Sequence, residues 1–158
     1  MIRVDPIECP FALALGMDGE LKQVGSDLIG ARCSCPGVRG VPDLRMPSNR
    51  GPTSYDALLP GWSAPTVENP ANVIAAYGLT PQMIRDKVVC VAGVGVGREL
   101  VTIQTFGPRE IHAVDYSNHI QAVAARCAGP HFYQADICNM PFKSGIFDLV
   151  ISAGVIQH

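Results

Sequence analysis

The run Val88-Val89-Cys90-Val91-Ala92 leads directly into glycines at alternate positions, Gly93, Gly95 and Gly97. Five apolar residues, three of them β-branched, suit a strand buried on both faces. Arg98-Glu99-Leu100-Val101 can then open a helix. A strand, a glycine loop and a helix in that order let bare backbone approach a nucleotide-like ligand, because no Cβ intervenes. The unit also implies a chain built from alternating strands and helices, and so an α/β fold with a parallel sheet. A dinucleotide loop of the hydride-transfer kind has the form Gly-x-Gly-x-x-Gly. Its last glycine would fall at Arg98, which counts against a nicotinamide- or flavin-dependent oxidoreductase.

Further units follow at matching distances. Gly107-Pro108 ends the helix near Phe106, and Ile111-His112-Ala113-Val114 reads as a second strand ending at Asp115. A carboxylate at that strand tip, about 20 residues past the loop, can accept hydrogen bonds from a ribose diol. Ser117 is expected to cap a helix reaching about Arg126, with Ile120, Val123 and Ala124 on its apolar face. His131-Phe132-Tyr133-Gln134-Ala135 reads as a third strand ending at Asp136, whose carboxylate can accept a hydrogen bond from an exocyclic amine while Ile137 lines an adenine slot. Ile146 to Ala153 is a near-continuous apolar run and reads as a fourth parallel strand.

Four blocks in this order carry a family resemblance: Val-Val-Cys-Val-Ala-Gly-Val-Gly-Val-Gly, Ala-Val-Asp-Tyr-Ser, Gln-Ala-Asp-Ile-Cys-Asn-Met-Pro-Phe and Phe-Asp-Leu-Val-Ile-Ser-Ala-Gly-Val-Ile-Gln-His. From about Lys87 to His158 the chain resembles a class I S-adenosylmethionine-dependent methyltransferase. The spacing from Met140-Pro141-Phe142 to Phe147-Asp148 is similar to the branch that acts on small molecules. The resemblance implies a Rossmann-like parallel sheet, S-adenosylmethionine as cofactor and a small-molecule methyl acceptor. It implies cofactor contacts at Gly93, Gly95, Gly97, Asp115, Tyr116, Asp136, Ile137 and Ala153. The family usually carries an acidic residue two positions before the first glycine, where this chain has Val91. A bound ammonium would then need another acceptor, such as backbone carbonyls near Gly93 or at Ala153. The chain supplies about four strands of a seven-stranded sheet, so it is expected either to be a fragment or to complete its sheet with a partner. The fourth strand would be an open apolar edge, an invitation to self-association.

The organisation reads in three parts. Residues 1–46 form a β-rich leader with turns at Asp18-Gly19 and Gly25-Ser26. Its Glu8-Cys9-Pro10, Cys33-Ser34-Cys35 and Gly40-Val41-Pro42-Asp43-Leu44-Arg45 resemble a zinc-ribbon leader found ahead of some methyltransferases. A closed tetrahedral site needs four ligands. Cys9, Cys33 and Cys35 are three thiols, and Ala12 stands where a Cys-x-x-Cys knuckle would need its second cysteine. The expectation is a metal-free remnant that keeps the hairpin. Residues 47–68 are rich in Pro, Ser and Gly and read as a linker anchored by Trp62, with a lid over the cofactor mouth as the alternative. Residues 69–158 are the partial cofactor-binding domain. It opens with a helix from Asn69-Pro70 to about Tyr77 and a short one at Thr80-Pro81.

Formal charge is −2 with no basic cluster, which leaves no nucleic-acid footprint. No apolar stretch approaches the roughly 20 residues of a membrane span. Six cysteines without a secretory leader point to a reducing cytoplasmic setting. Cys90, Cys127 and Cys138 are expected in the core. His112 and His131, at strand starts, are expected to be structural, and His119 solvated. His158, near the end of the fourth strand, is the single candidate general base, though it could equally cap a helix or face solvent. Two functions remain open beside methyl transfer: a non-catalytic, methyltransferase-like binding protein, which Val91 and the half sheet favour, and the less favoured oxidoreductase.

Overall fold

A computed structural model describes residues 20–24, 27–30, 34–58 and 70–156. The leader strands are β1 Lys22–Val24, β2 Asp27–Ile29, β3 Ser34–Cys35, β4 Gly37–Val38 and β5 Val41–Pro42. After them come helices α1 Ser54–Leu58, α2 Pro70–Ala75 and α3 Pro81–Ile84. The alternating part runs β6 Val88–Ala92, α4 Arg98–Gln104, β7 Glu110–Asp115, α5 His119–Ala124, β8 His131–Gln134 and β9 Leu149–Ile151. Strands β8-β7-β6-β9 form one four-stranded sheet in that order, with every pairing parallel. This is the expected α/β, Rossmann-like arrangement preceded by a β-rich segment.

All five residues of β6 are buried, as a strand covered on both faces requires. Its alternation divides the core. Val89 and Val91 pack with Ile111, Ala113 and the helix residues Leu100 and Ile103. Cys90 and Ala92 pack on the other face with Val114, Tyr133 and the leader residues Leu21, Leu28, Cys35 and Leu44. The leader thus supplies the cover for one face of the sheet. It also reaches the sheet's edge. Asp43 bridges Gln134 in parallel register, and Leu44 N donates to Gln134 O at 2.7 Å. The free edge of β8, a liability in any sheet, is capped at that point. Residues 22–24 and 27–29 pair antiparallel, which is the hairpin expected of the leader.

The fourth strand, a helix cap and one cysteine depart from expectation. The fourth strand is Leu149–Ile151, shorter than the apolar run from Ile146 to Ala153. Phe147 leaves the sheet to stack edge-on with Phe142 at 4.9 Å, and Asp148 uses its carboxylate to accept from Val88 N at 2.8 Å. Ser117 does not cap the second helix. Its hydroxyl donates to Asp115 Oδ1 at 2.7 Å, and Asn118 is the N-cap residue of α5. Cys138 is exposed, not in the core.

His112 is the third residue of β7 and pairs with His131, the first of β8. His112 is 1 % exposed, with Nδ1 3.2 Å from the Tyr133 hydroxyl and its ring 5.2 Å from that of His131. His119 is half-buried rather than solvated, with Nε2 3.4 Å from Asp56 O. Cys90 is fully buried, and burial pushes its thiol up to about 12, which leaves it unreactive at neutral pH. No helix among the described residues is long and apolar enough to cross a membrane.

Candidate functional site

In a parallel sheet the loops after the strands gather at the C-terminal edge, so the tips of β6, β7, β8 and β9 place their following residues together. The loop after β6 is held by its own backbone. Gly93 N donates to Val114 O at 2.8 Å, and Gly97 N to Val94 O at 2.8 Å. Gly93, Gly95 and Gly97 all have positive φ, at 86°, 52° and 95°. Their surroundings differ. A Cβ on Gly93 would stand 2.1 Å from Val155 Cγ2, and one on Gly97 would stand 3.0 Å from Val123 Cγ1. A Cβ on Gly95 would meet nothing within 4 Å. Gly93 and Gly97 are therefore glycine for packing. Gly95 is the one that faces open space, where a ligand can lie against the backbone.

Asp115 ties this loop to the tip of β7. Its Oδ2 accepts from Gly95 N at 2.7 Å, and its Oδ1 from Ser117 N at 2.8 Å and Ser117 Oγ at 2.7 Å. The side chain is buried. A carboxylate offers about four acceptor directions, so Oδ2 keeps capacity for one further donor such as a ribose hydroxyl. Tyr116 is half-buried, and its carbonyl accepts from Arg45 Nη1 and from Gln134 Nε2, each at 3.2 Å.

Asp136 closes β8. Its Oδ1 accepts from Cys138 N at 2.8 Å and so caps the short 3-10 helix Ile137–Asn139. Its Oδ2 carries no hydrogen bond among the described residues. Ile137 packs against the core face lined by Tyr133 and Ala135. Ala153 follows β9 and is half-buried. Beside it the Ser152 hydroxyl is buried with no hydrogen-bond partner among the described residues.

Of the expected site residues, the structure brings Gly95, Asp115 and Tyr116 into one bonded cluster, and carries Gly93, Gly97, Asp136, Ile137 and Ala153 on the same edge of the sheet. His158, Cys9 and Cys33 lie outside the described residues, as do the turns at Asp18-Gly19 and Gly25-Ser26 and the Trp62 anchor. Cys35 is buried in the core, and no cluster of three or more metal-binding side chains occurs among the described residues.

Val91, where the family pattern has an acid, is buried among Val89 and Leu100 on the helix-covered face. Sequence reasoning missed three contributors. Ser152 sits inside a block already singled out, and its type gave no sign that it would be buried without a partner. Arg45 and Asp56 lie far from the loop in sequence. Asp56, in α1, accepts from Asn118 N at 2.7 Å and Asn118 Nδ2 at 3.1 Å, and so holds the N-cap residue of α5. A cavity of about 240 Å³ lies at the other end of β8, between the leader turn at Arg39-Gly40 and the loop Ala128–Pro130. It contains none of the expected cofactor residues.

Residues 90–158 match the family described as a methyltransferase domain. The glycine loop, Asp115, Asp136 and β9 all fall within that match, so this stretch is similar to a methyltransferase domain. No curated protein matches the chain. Among solved structures it is similar to a putative S-adenosylmethionine dependent methyltransferase from Listeria monocytogenes, at 17 % identity and a TM-score of 0.44. That likeness covers 52 % of this chain and 38 % of the other, so the chain spans well under half of that protein's length.

Proposed function

We propose that the chain binds S-adenosylmethionine at the C-terminal edge of the sheet and serves methyl transfer to a small-molecule acceptor, a reading supported by the match of residues 90–158 to a methyltransferase domain. The observation that carries this reading is the bond between Asp115 and Gly95. It sets a carboxylate with spare acceptor capacity beside a glycine whose Cβ position meets nothing within 4 Å. That pairing suits a ribose diol lying along a glycine loop.

The other residues fit the same cofactor. Asp136 Oδ2 is placed at a strand tip to accept from an exocyclic amine, and Ile137 gives the apolar wall beside it. The buried Ser152 hydroxyl is an acceptor in want of a donor, and it answers the loss of the acid at Val91 by offering an oxygen to an ammonium group. When bound, S-adenosylmethionine supplies a methyl group already activated by its sulfonium. The chain's own work is therefore alignment and exclusion of water. Asp115 fixes the loop, Gly95 keeps the approach clear, and Val155 closes over Gly93.

Val91 favours a second reading, a domain that holds the cofactor without chemistry. Turnover of labelled methyl groups separates the two, since only the first reading gives product. The outer edge of β9 is unpaired among the described residues and Val150 is 54 % exposed, so this edge would take a further strand. Calorimetric titration with S-adenosylhomocysteine and, separately, NADH tests the cofactor assignment. Saturable binding of the first alone is expected. Binding of NADH in its place would favour the oxidoreductase.

A further inference from the structure

We propose that Arg45, in the leader, is a positioning residue for the ligand site. It sets the Asp115–Tyr116 turn from a distance of 71 residues in the chain. The inference rests on the reading that this turn holds the adenosine end of the cofactor.

Arg45 is 4 % exposed, and its guanidinium is committed in several directions at once. Nε donates to Asp43 Oδ1 at 3.0 Å and Nη2 to Asp43 Oδ2 at 2.8 Å, a two-pronged pair. Nη1 donates to Gly51 O at 3.0 Å and to Tyr116 O at 3.2 Å. Its central carbon stands 5.4 Å from the centre of the Tyr116 ring. Asp43 is itself fixed to the sheet by its bridge to Gln134, and Gln134 Nε2 donates to the same Tyr116 carbonyl. Tyr116 is thus gripped at its carbonyl by two donors and covered on its ring. The residue before it holds Gly95.

A buried ion pair is a weak source of stability, since apolar side chains of similar size often serve as well or better. What an apolar pair cannot do is direct a planar fork at a chosen carbonyl. The pair's geometry points to orientation. Arg45 fixes the plane of the Tyr116 peptide and through it the direction of the Asp115 carboxylate. The leader is then a working part of the cofactor site as well as a cover for the sheet.

The test uses the whole chain and two variants. Arg45→Lys keeps the charge facing Asp43 but loses the fork. The double variant Asp43→Leu with Arg45→Met removes both charges, which avoids stranding one of them in the core. Each is compared with wild type for binding of S-adenosylhomocysteine and of adenosine, at a temperature where circular dichroism shows a folded protein. Both variants are expected to bind both ligands about tenfold more weakly, the order expected for one lost charge-assisted hydrogen bond. In an Asp115→Asn background, Arg45→Lys is expected to have little further effect, because Arg45 acts through Asp115. A purely structural role would give additive losses. Wild-type affinity in either folded variant, additivity in the cycle, or failure of both variants to fold would each overturn the proposal while leaving the cofactor reading in place. Absence of binding by the wild-type chain would overturn both.

Discussion

Asp115→Ala is expected to weaken S-adenosylhomocysteine binding by about 1–3 kcal/mol, between fivefold and somewhat over a hundredfold. The loss has two sources. The proposed ribose acceptor is removed, and three donors lose their partner at once: Gly95 N, Ser117 N and Ser117 Oγ. The glycine loop then has no side chain tying it to β7, so the variant should also be less stable. Asp115→Asn keeps one carbonyl oxygen but turns an amide toward a donor, and it should fall between wild type and alanine. Titration calorimetry on the three proteins decides the matter. Wild-type affinity in the alanine variant would remove Asp115 from the site and leave it a purely structural clasp.

Gly93→Ala should cost the fold most among the loop glycines. The new Cβ would meet Val155 Cγ2 at 2.1 Å, and φ is +86°. Overpacking of this kind costs about 1–3 kcal/mol, and a left-handed backbone with a Cβ adds roughly 1–2 kcal/mol. Together these are a large share of the stability of a small domain. Gly95→Ala makes an instructive contrast, since φ is +52° and nothing lies within 4 Å. It should carry only the roughly 1–2 kcal/mol of left-handed strain, remain more stable than Gly93→Ala, and still lose ligand. Val155→Ala should recover part of the stability lost in Gly93→Ala, because the clash is between those two residues. A denaturant series on the single and double variants reads this coupling directly. No recovery would mean that Val155 does not close over the loop as the structure has it.

Much of the sheet was legible from residue order because its signals are local. A continuous apolar run, a glycine loop and a carboxylate at a strand tip recur within a few residues. Val88–Ala92 and the strand ending at Asp115 lie where those signals put them. The fourth strand was overextended because periodicity cannot separate apolar residues used in a strand from those used in a cluster. Phe147 goes to the aromatic group with Phe142 and His112, and the strand begins after it.

The helix cap was misread for a different reason. Ser117 has the right chemistry for an N-cap, but Asp115 competes for its hydroxyl, and Asp56 supplies α5 from 62 residues away. Contacts of that range leave no local mark. The same holds for Arg45. In sequence it closes a zinc-ribbon-like motif, and only the folded chain shows its guanidinium against Tyr116. Family likeness marked Gly95, Asp115 and Asp136 as ligand contacts but could not say that Asp115 already holds Gly95, or that Ser152 would be left with an unmatched oxygen.

The central claim is that a cofactor with an adenosine end lies along the glycine loop at the C-terminal edge of the sheet. Amide chemical shifts recorded while S-adenosylhomocysteine is added test it most directly. The amides of Gly95 and Ser117, which donate to Asp115, and of Cys138, which donates to Asp136, should shift together with one dissociation constant. Those of Gly129 and His131, at the cavity on the opposite end of β8, should stay in place. Shifts confined to Gly129 and His131, or no shift at Gly95 and Ser117 under saturating ligand, would contradict the account.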